Sequence, residues 1–277
     1  MTNTTASAPF PPFRRVSDLL RDNARQRPQA KALADDDSAL NWAALDALVD
    51  RVAASLQQAG LQSGDVVAVC AASSVRYAAV YLGALRAGVV VAPLAPSVTP
   101  EAMASMLGDA QARLLFADAQ GTAAVPPAVM QGAGALALDD AGAGTPWSQW
   151  LAPEGAAPQP VDVGPEHPFN IIYSSGTTGN PKGIVQSHGM RWAHLVRGLS
   201  QGYGPDSVTL LATPLYSNTT LVSFFPGLCW GGSVRLMAKF DALRYLQTAQ
   251  QIRATHSMLV PVQYQRCLLY TSDAADE

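Results

Sequence analysis

Residues 173–182 combine side chains and backbone freedom that suit the binding of a polyphosphate. They read Tyr-Ser-Ser-Gly-Thr-Thr-Gly-Asn-Pro-Lys, with four serine and threonine hydroxyls, two glycines and one lysine. Glycine lets the main chain approach a phosphate closely, and exposed N–H groups and hydroxyls donate hydrogen bonds to phosphate oxygens. The lysine adds a mobile positive charge. The sequence therefore predicts a phosphate-binding loop at this position.

Two other interpretations of this loop fit its surroundings less well. A flexible Ser/Gly/Thr linker would rarely follow a buried strand directly, whereas this loop follows the strand-like apolar run 169–173. A Walker A loop requires Gly, four residues and then Gly-Lys-Ser or Gly-Lys-Thr. Counted from Gly176, Pro181 stands where the second glycine should be, and Gly183 follows Lys182. The spacing therefore argues against an ordinary P-loop NTPase.

The composition of the 277 residues allows a sizeable core. Hydrophobic residues make up 48%, charged residues make up 14%, and the formal net charge is −3. No basic patch indicates a nucleic-acid partner. The three cysteines have neither paired nor metal-like spacing, which favours reduced thiols and a cytoplasmic location. No secretory signal is recognisable, and the apolar runs are too short or too interrupted for an integral membrane segment.

Strand-like and helix-like segments alternate along the chain. This alternation predicts an α/β fold with doubly wound, mostly parallel sheets and helices on both faces. Predicted helices cover residues 16–27, 42–59, 75–87, 102–112, 189–199 and 241–254, with part of another at 224–228. Predicted strands cover residues 65–71, 89–93, 114–117, 169–173, 208–212, 233–237 and 257–260. Residues 120–165 are expected to form peripheral elements and loops, and the polar stretch directly after the phosphate-binding loop is expected to be helical.

The loop resembles the signature loop of the adenylate-forming (AMP-binding) superfamily, which includes acyl- and aryl-CoA ligases, peptide-synthetase adenylation domains and luciferases. The resemblance rests on the run Ser174-Ser-Gly-Thr-Thr-Gly-Asn-Pro-Lys-Gly183. Residues 81–96, which end in Pro-Leu-Ala-Pro, and residues 40–65 are similar to upstream segments of the same family. The resemblance implies an incomplete N-terminal domain of an adenylate-forming enzyme, of the acyl- or aryl-CoA ligase type.

The resemblance also implies roles for individual residues. In the family, a carboxylate attacks the α-phosphate of ATP, an acyl-adenylate and pyrophosphate form, and a thiol then displaces AMP. The implied ligands of the β- and γ-phosphates are Ser174, Ser175, Gly176, Thr177, Thr178, Gly179 and Lys182. Thr177 is expected to place its hydroxyl near Mg²⁺, and Gly179 and Gly183 are expected to serve the shape of the backbone.

Residues 213–220 resemble the family segment where the acyl pocket meets the thiol channel, so Tyr216 and Ser217 are candidates for the substrate pocket. Many CoA ligases carry His where Ser217 stands, and this difference leaves the acid unidentified. A packing role for Tyr216 is an equal alternative. His188 is expected to lie at the start of a helix rather than to act as a catalytic base. No catalytic residue is assigned, because the family's catalytic lysine belongs to later motifs that this sequence does not contain.

Three segments are expected: a disordered leader at residues 1–12, a truncated AMP-binding domain at 13–266, and a non-native tail at 267–277 that resembles a translated sequencing adapter. The expected function is ATP-dependent activation of a carboxylic acid and its transfer to coenzyme A, with no activity in this chain alone. Two alternatives stay open. One is an adenylation domain that loads a carrier protein, and the other is a nucleotide-binding module without catalysis. The oligomeric state is not readable.

Overall fold

The computed structural model describes residues 10–126, 134–174 and 181–273, with side chains up to residue 269. The described helices are α1 (Val16–Gln26), α2 (Trp42–Gln58), α3 (Val75–Arg86), α4 (Pro100–Ala110), α5 (Ala119–Ala124), α6 (Trp147–Trp150), α7 (His188–Ser200), α8 (Asn218–Cys229), α9 (Ala242–Ile252) and α10 (Pro261–Asp273). The described strands are β1 (Lys31–Ala34), β2 (Ala39–Asn41), β3 (Val66–Cys70), β4 (Val90–Pro93), β5 (Leu114–Ala117), β6 (Gly134–Ala137), β7 (Thr145–Pro146), β8 (Pro168–Ser174), β9 (Lys182–Ser187), β10 (Val208–Leu211), β11 (Ser233–Leu236) and β12 (His256–Met258).

The first sheet has seven strands in the order β7-β6-β5-β3-β4-β8-β9. All neighbours run parallel except β8 and β9, which are antiparallel. The central strand β3 is an apolar run that is buried along nearly its whole length, as expected for a parallel strand covered on both faces. Val67 and Val69 pack into the layer between the two sheets, whereas Ala68 and Cys70 pack against α4 on the outer face.

The second sheet has five strands in the order β12-β10-β11-β1-β2, and only β1 and β2 are antiparallel. Along β10, Leu211 joins the core between the sheets, and Leu210 packs with residues of α9 on the outer face. Helices therefore cover both faces of each sheet. The prediction of an α/β fold with doubly wound, mostly parallel sheets is confirmed.

Helix α3 lies in the layer between the sheets and is buried at every residue except Arg76. The Ser74 hydroxyl caps it by accepting a hydrogen bond from Tyr77 N. Its contact with α2 is close at Gly83, where an added Cβ would lie 2.4 Å from Val52 Cγ1. A glycine at this position therefore lets the two central helices approach each other.

Most predicted elements are present, with ends shifted by a residue or two. The prediction of a helix directly after the phosphate-binding loop is wrong, because residues 182–187 form strand β9. Ile184 and Val185 are β-branched, and antiparallel pairing with β8 satisfies the backbone of this segment. Strands β1 and β2 have no predicted counterpart, and residues 120–165 contribute the strands β6 and β7, of which β7 lies at the edge of the sheet. None of the described helices combines the length and the hydropathy needed to cross a bilayer.

Candidate functional site

Ser174 and Lys182 lie opposite each other at the adjoining ends of β8 and β9. Their Cα atoms are partners in the register of the pair, and both residues are exposed. Strand β8 runs parallel to β4, so Ser174 lies at the carboxyl edge of the sheet, where α/β folds usually bind ligands. The predicted ligands Ser175, Gly176, Thr177, Thr178 and Gly179 lie outside the described residues, and their roles stay predictions.

Tyr173, directly before Ser174, is tied to helix α4. Its phenolic oxygen lies 2.6 Å from Asp109 Oδ2 and 3.0 Å from the Met106 carbonyl oxygen. Burial and the neighbouring Asp109 raise the pKa of Tyr173, so the phenol keeps its proton and donates to the carboxylate. Gly183 lies against this pair, because a Cβ there would be 3.0 Å from Asp109 Oδ2 and 3.1 Å from Tyr173 Cε1. The glycine therefore leaves room for the contact.

The second predicted segment, residues 213–220, follows the carboxyl end of β10. The backbone N–H of Leu215 donates to Ser73 Oγ at 2.9 Å, which joins this segment to the end of β3. Thr220 Oγ1 donates to Thr213 Oγ1 at 2.8 Å and closes the segment on itself. The segment is therefore held at the carboxyl edges of both sheets, which is the edge that also carries Ser174.

Tyr216 and Ser217 are both half-buried within this segment. Burial and the nearby Cys70 raise the pKa of Tyr216, so its hydroxyl is protonated and can donate a hydrogen bond. Ser217 precedes the first residue of α8, and its side chain makes no capping hydrogen bond. Both side chains are partly open to a ligand, and their assignment to a substrate pocket stays a prediction.

A polar cluster that the sequence did not indicate connects β9 with α8. Arg191 Nη2, on α7, donates to Gln186 Oε1 at 2.6 Å and to Asn218 Oδ1 at 3.1 Å. Gln186 lies on the same strand as Lys182, four residues away, which is about 13 Å along β9. The strand that carries Lys182, the lysine predicted to bind phosphate, is thus linked to the start of the helix that follows Ser217. The only sequence signal for this cluster is an arginine directly before the buried Trp192 in a helix.

His188 is the first residue of α7 and is 4% exposed. Its ring packs edge-on against Phe169 at a centroid distance of 4.9 Å. Burial, together with His167 and Arg15, lowers the pKa of His188 to about 3. A base that is this weak and this enclosed does not suit proton abstraction from a substrate. The expected position at the start of a helix is confirmed.

The described part of the chain contains no cluster of three His, Cys, Asp or Glu side chains that could hold a metal ion. The hydroxyl predicted to lie near Mg²⁺ belongs to Thr177, outside that part. A cavity of about 600 Å³ lies on the second sheet beside Leu33, Leu40 and Ile252, and includes neither Ser174 nor Lys182. The candidate site is therefore defined by the β8–β9 pair and residues 213–220.

Two mostly parallel sheets covered by helices, with Ser174 and Lys182 at the carboxyl edge of the first, define an α/β domain whose ligand site is expected at that edge. The family model described as AMP-binding enzyme matches residues 20–277. The chain belongs to this family of adenylate-forming enzymes.

Relatives of this chain include ligases and peptide synthetases. It is 30% identical over 263 residues to 3-hydroxybenzoate–CoA ligase of Aromatoleum sp. strain CIB, covering 87% of this chain and 49% of that protein. It is 31% identical over 232 residues to phosphinothricin tripeptide synthetase PhsB of Streptomyces viridochromogenes, covering 82% of this chain and 18% of that protein. The crystal structure of VinN superposes with a TM-score of 0.84 at 23% identity, over 96% of this chain and 66% of that one. The chain spans about half the length of the CoA ligase.

Proposed function

We propose that this chain takes part in ATP-dependent activation of a carboxylic acid, followed by transfer of the acyl group to the thiol of coenzyme A. One observation carries the proposal. In a chain of the AMP-binding enzyme family, the strand register sets Ser174 opposite Lys182 at the carboxyl edge of the first sheet. A hydroxyl and an ammonium group thus flank the position of the loop, where the β- and γ-phosphates of ATP would lie.

Charge repulsion is the main physical obstacle, because an anionic carboxylate must approach the polyanionic triphosphate. The positive charge of Lys182 and the hydrogen-bond donors of the loop would offset this repulsion. They would also hold the phosphates in position for the attack. Bound Mg²⁺ would supply further neutralisation, and we assign the hydroxyl near it to Thr177. A carboxylate oxygen then bonds to the α-phosphorus, and the bond from this phosphorus to the bridging oxygen of the leaving pyrophosphate breaks. Tyr216 and Ser217 are proposed to border the bound acid.

The acceptor is assigned to coenzyme A because a named CoA ligase is 30% identical to this chain. A peptide synthetase is 31% identical, which favours loading of a carrier protein as the second candidate. The gene sequence beside this coding region separates the two, because a carrier domain encoded next to it would favour the second. A cytoplasmic location is retained as a prediction from the cysteine spacing.

The proposal is tested by calorimetric titration of the 277-residue chain with MgATP. We expect binding in the wild type and at least tenfold weaker binding in the double variant Thr177→Val/Lys182→Met, which removes one hydroxyl and the ammonium group. Lys239→Met is the matched control, because Lys239 is an exposed lysine outside the site. Equal affinity in the double variant and the wild type would overturn the proposal. No pyrophosphate release with a panel of carboxylic acids is expected from this chain alone.

A further inference from the structure

Arg191 is a buried cation that packs against two adjacent aromatic rings. The residue is 1% exposed, and its Cζ lies 5.3 Å from the centre of the Phe169 ring and 5.4 Å from that of Phe225. Nη2 donates to the amide oxygens of Gln186 and Asn218. Nε and Nη1 are buried and have no hydrogen-bond partner among the residues that the structure describes. The guanidinium therefore has two buried N–H-bearing nitrogens without a described partner.

Arg86, the other deeply buried arginine among the described residues, has carboxylate partners. Arg86 is 5% exposed and pairs with two carboxylates, Asp46 Oδ1 at 2.5 Å and Asp50 Oδ1 at 2.8 Å. Arg191 has no ion pair with any carboxylate in the described ranges. A buried charge without a counter-ion is costly, and neutral amide oxygens offset only part of that cost. The charge of Arg191 is therefore not balanced by a carboxylate of the described residues.

Two features beside Arg191, a neutral histidine and the start of a helix, do not offset its positive charge. His194 follows three residues later on α7, and its Nδ1 is buried without a described partner. Burial, Arg191 and Arg197 all lower the pKa of His194, so its ring stays neutral beside the arginine. Asn218 begins α8, a helix of 12 residues whose N-cap side chain, Ser217, makes no hydrogen bond. The unpaired N–H groups at a helix start favour an anion.

This cluster is close to the surface on one side. Asn218 is half-buried and its neighbour Thr219 is exposed. Nη2 of Arg191 reaches Asn218 Oδ1 at 3.1 Å, so a carboxylate that replaced this amide oxygen would gain a charge-assisted hydrogen bond. Ser217, the proposed border of the acid pocket, is the residue next to Asn218. An anion that binds Arg191 would thus lie beside the bound acid.

We propose that Arg191 binds a second carboxylate of the acid substrate, so that the substrate of this site is a dicarboxylic acid. The proposal rests on the function proposed above. Activation turns the reacting carboxylate into the acyl group of a mixed anhydride whose remaining charge lies on the phosphate, so the acyl end could no longer balance a buried cation. The second carboxylate forms and breaks no covalent bond, keeps its charge throughout, and remains a counter-ion in both the free acid and the acyl-adenylate.

The test compares thermal unfolding of the 277-residue chain with dicarboxylates and with monocarboxylates of equal length. The pairs are succinate and butyrate, glutarate and pentanoate, adipate and hexanoate, and isophthalate and benzoate. At least one dicarboxylate is expected to raise Tm by several degrees at millimolar concentration, while its monocarboxylate partner raises it by less than one degree. Equal Tm shifts for the dicarboxylate and the monocarboxylate in every pair would overturn the proposal, and this result needs no variant.

Variants separate a binding role of Arg191 from a structural one. Arg191→Met is expected to abolish the dicarboxylate shift and to leave the Tm of the free chain equal to or above that of the wild type, because it removes an unpaired charge. Arg86→Met, the matched control, is expected to lower Tm because it leaves Asp46 and Asp50 without their partner. Asn218→Asp places a carboxylate beside Arg191, and is expected to raise Tm and abolish the dicarboxylate shift. A dicarboxylate shift that survives in Arg191→Met or Asn218→Asp counts against the proposal.

Titration with MgATP, run in parallel, keeps this inference distinct from the proposed function. If MgATP binds and the dicarboxylates behave as their monocarboxylate partners do, only the dicarboxylate inference fails. If MgATP does not bind but a dicarboxylate raises Tm through Arg191, the proposed function fails and the anion site remains.

Discussion

The phenolic oxygen of Tyr173 lies 2.6 Å from Asp109 Oδ2, and this contact joins the end of β8 to the last turn of α4. Tyr173 immediately precedes Ser174, the first predicted phosphate ligand. Because β8 and β9 are the edge pair of the first sheet, no further strand among the described residues holds this end of the hairpin on the β9 side. The hydrogen bond to Asp109 therefore fixes the position from which the loop departs.

Tyr173→Phe removes this hydrogen bond and keeps the ring. We expect the free energy of unfolding to fall by about 1 kcal/mol, the usual contribution of one such bond. We also expect MgATP to bind several-fold more weakly, because the start of the loop is held less firmly. Urea unfolding and calorimetric titration measure the two effects.

Tyr264→Phe is the matched control for this change, since Tyr264 is 49% exposed on α10 and distant in sequence from the hairpin. It should leave both quantities unchanged. If Tyr173→Phe binds MgATP as tightly as the wild type does, the contact with Asp109 serves stability only.

Elements that show a clear local pattern of apolar residues could be predicted from the sequence. Strand β5 was expected at residues 114–117 and has those bounds, because an apolar run of this length between turns suits a covered parallel strand. The stretch after the loop is polar, and the sequence therefore predicts a helix there. In the structure residues 182–187 form β9, in which residues 182–185 are exposed. Its conformation depends on pairing with β8, which a local pattern does not reveal.

Part of the candidate site could likewise be predicted from the sequence, and part could not. The phosphate-binding loop is one continuous run, so its residue types could be interpreted directly. Arg191 could not be assigned from sequence, because an arginine in an amphipathic helix ordinarily lies at the surface. Its burial results from tertiary packing, which brings Phe169 and Phe225 side by side against its guanidinium group.

Gly83 offers a test of the packing between the two central helices. Gly83→Ala gains helix propensity worth about 1 kcal/mol, but the new Cβ would lie 2.4 Å from Val52 Cγ1 and 2.6 Å from Val52 Cβ. Overpacking of this kind costs about 1–3 kcal/mol. Here the clash can be relieved only by moving α2 away from α3. We expect a net loss of up to about 2 kcal/mol in the free energy of unfolding, measured by urea unfolding.

Gly108→Ala provides the matched comparison within a helix of the same chain. Gly108 is exposed on α4, and an added Cβ would meet no atom within 4 Å. The propensity gain is then unopposed, and we expect stabilisation of roughly 0.5–1 kcal/mol. Two substitutions with the same chemistry should therefore change stability in opposite directions, and changes of the same sign would contradict the packing at Val52.

His188 predicts how stability depends on pH. Its pKa in the folded chain is about 3, below the ordinary value of 6.5, so only the unfolded chain takes up this proton as the pH falls below about 6.5. The contribution of His188 to the free energy of unfolding is therefore fully present above that pH and declines as the pH falls towards 3. From this one group the loss at pH 5 is about 2 kcal/mol relative to pH 8.

His188→Leu removes the group, so the decline in the free energy of unfolding between pH 8 and pH 5 should be smaller than in the wild type by about 2 kcal/mol. Carboxylates and the other histidines titrate in both proteins, and the difference between the two curves isolates His188. NMR of the imidazole ring gives an independent readout, because the His188 resonances should not move between pH 8 and about pH 4.5. A normal titration midpoint near the ordinary value of 6.5, or parallel pH curves for the two proteins, would show that the ring is open to water and would return it to consideration as a base.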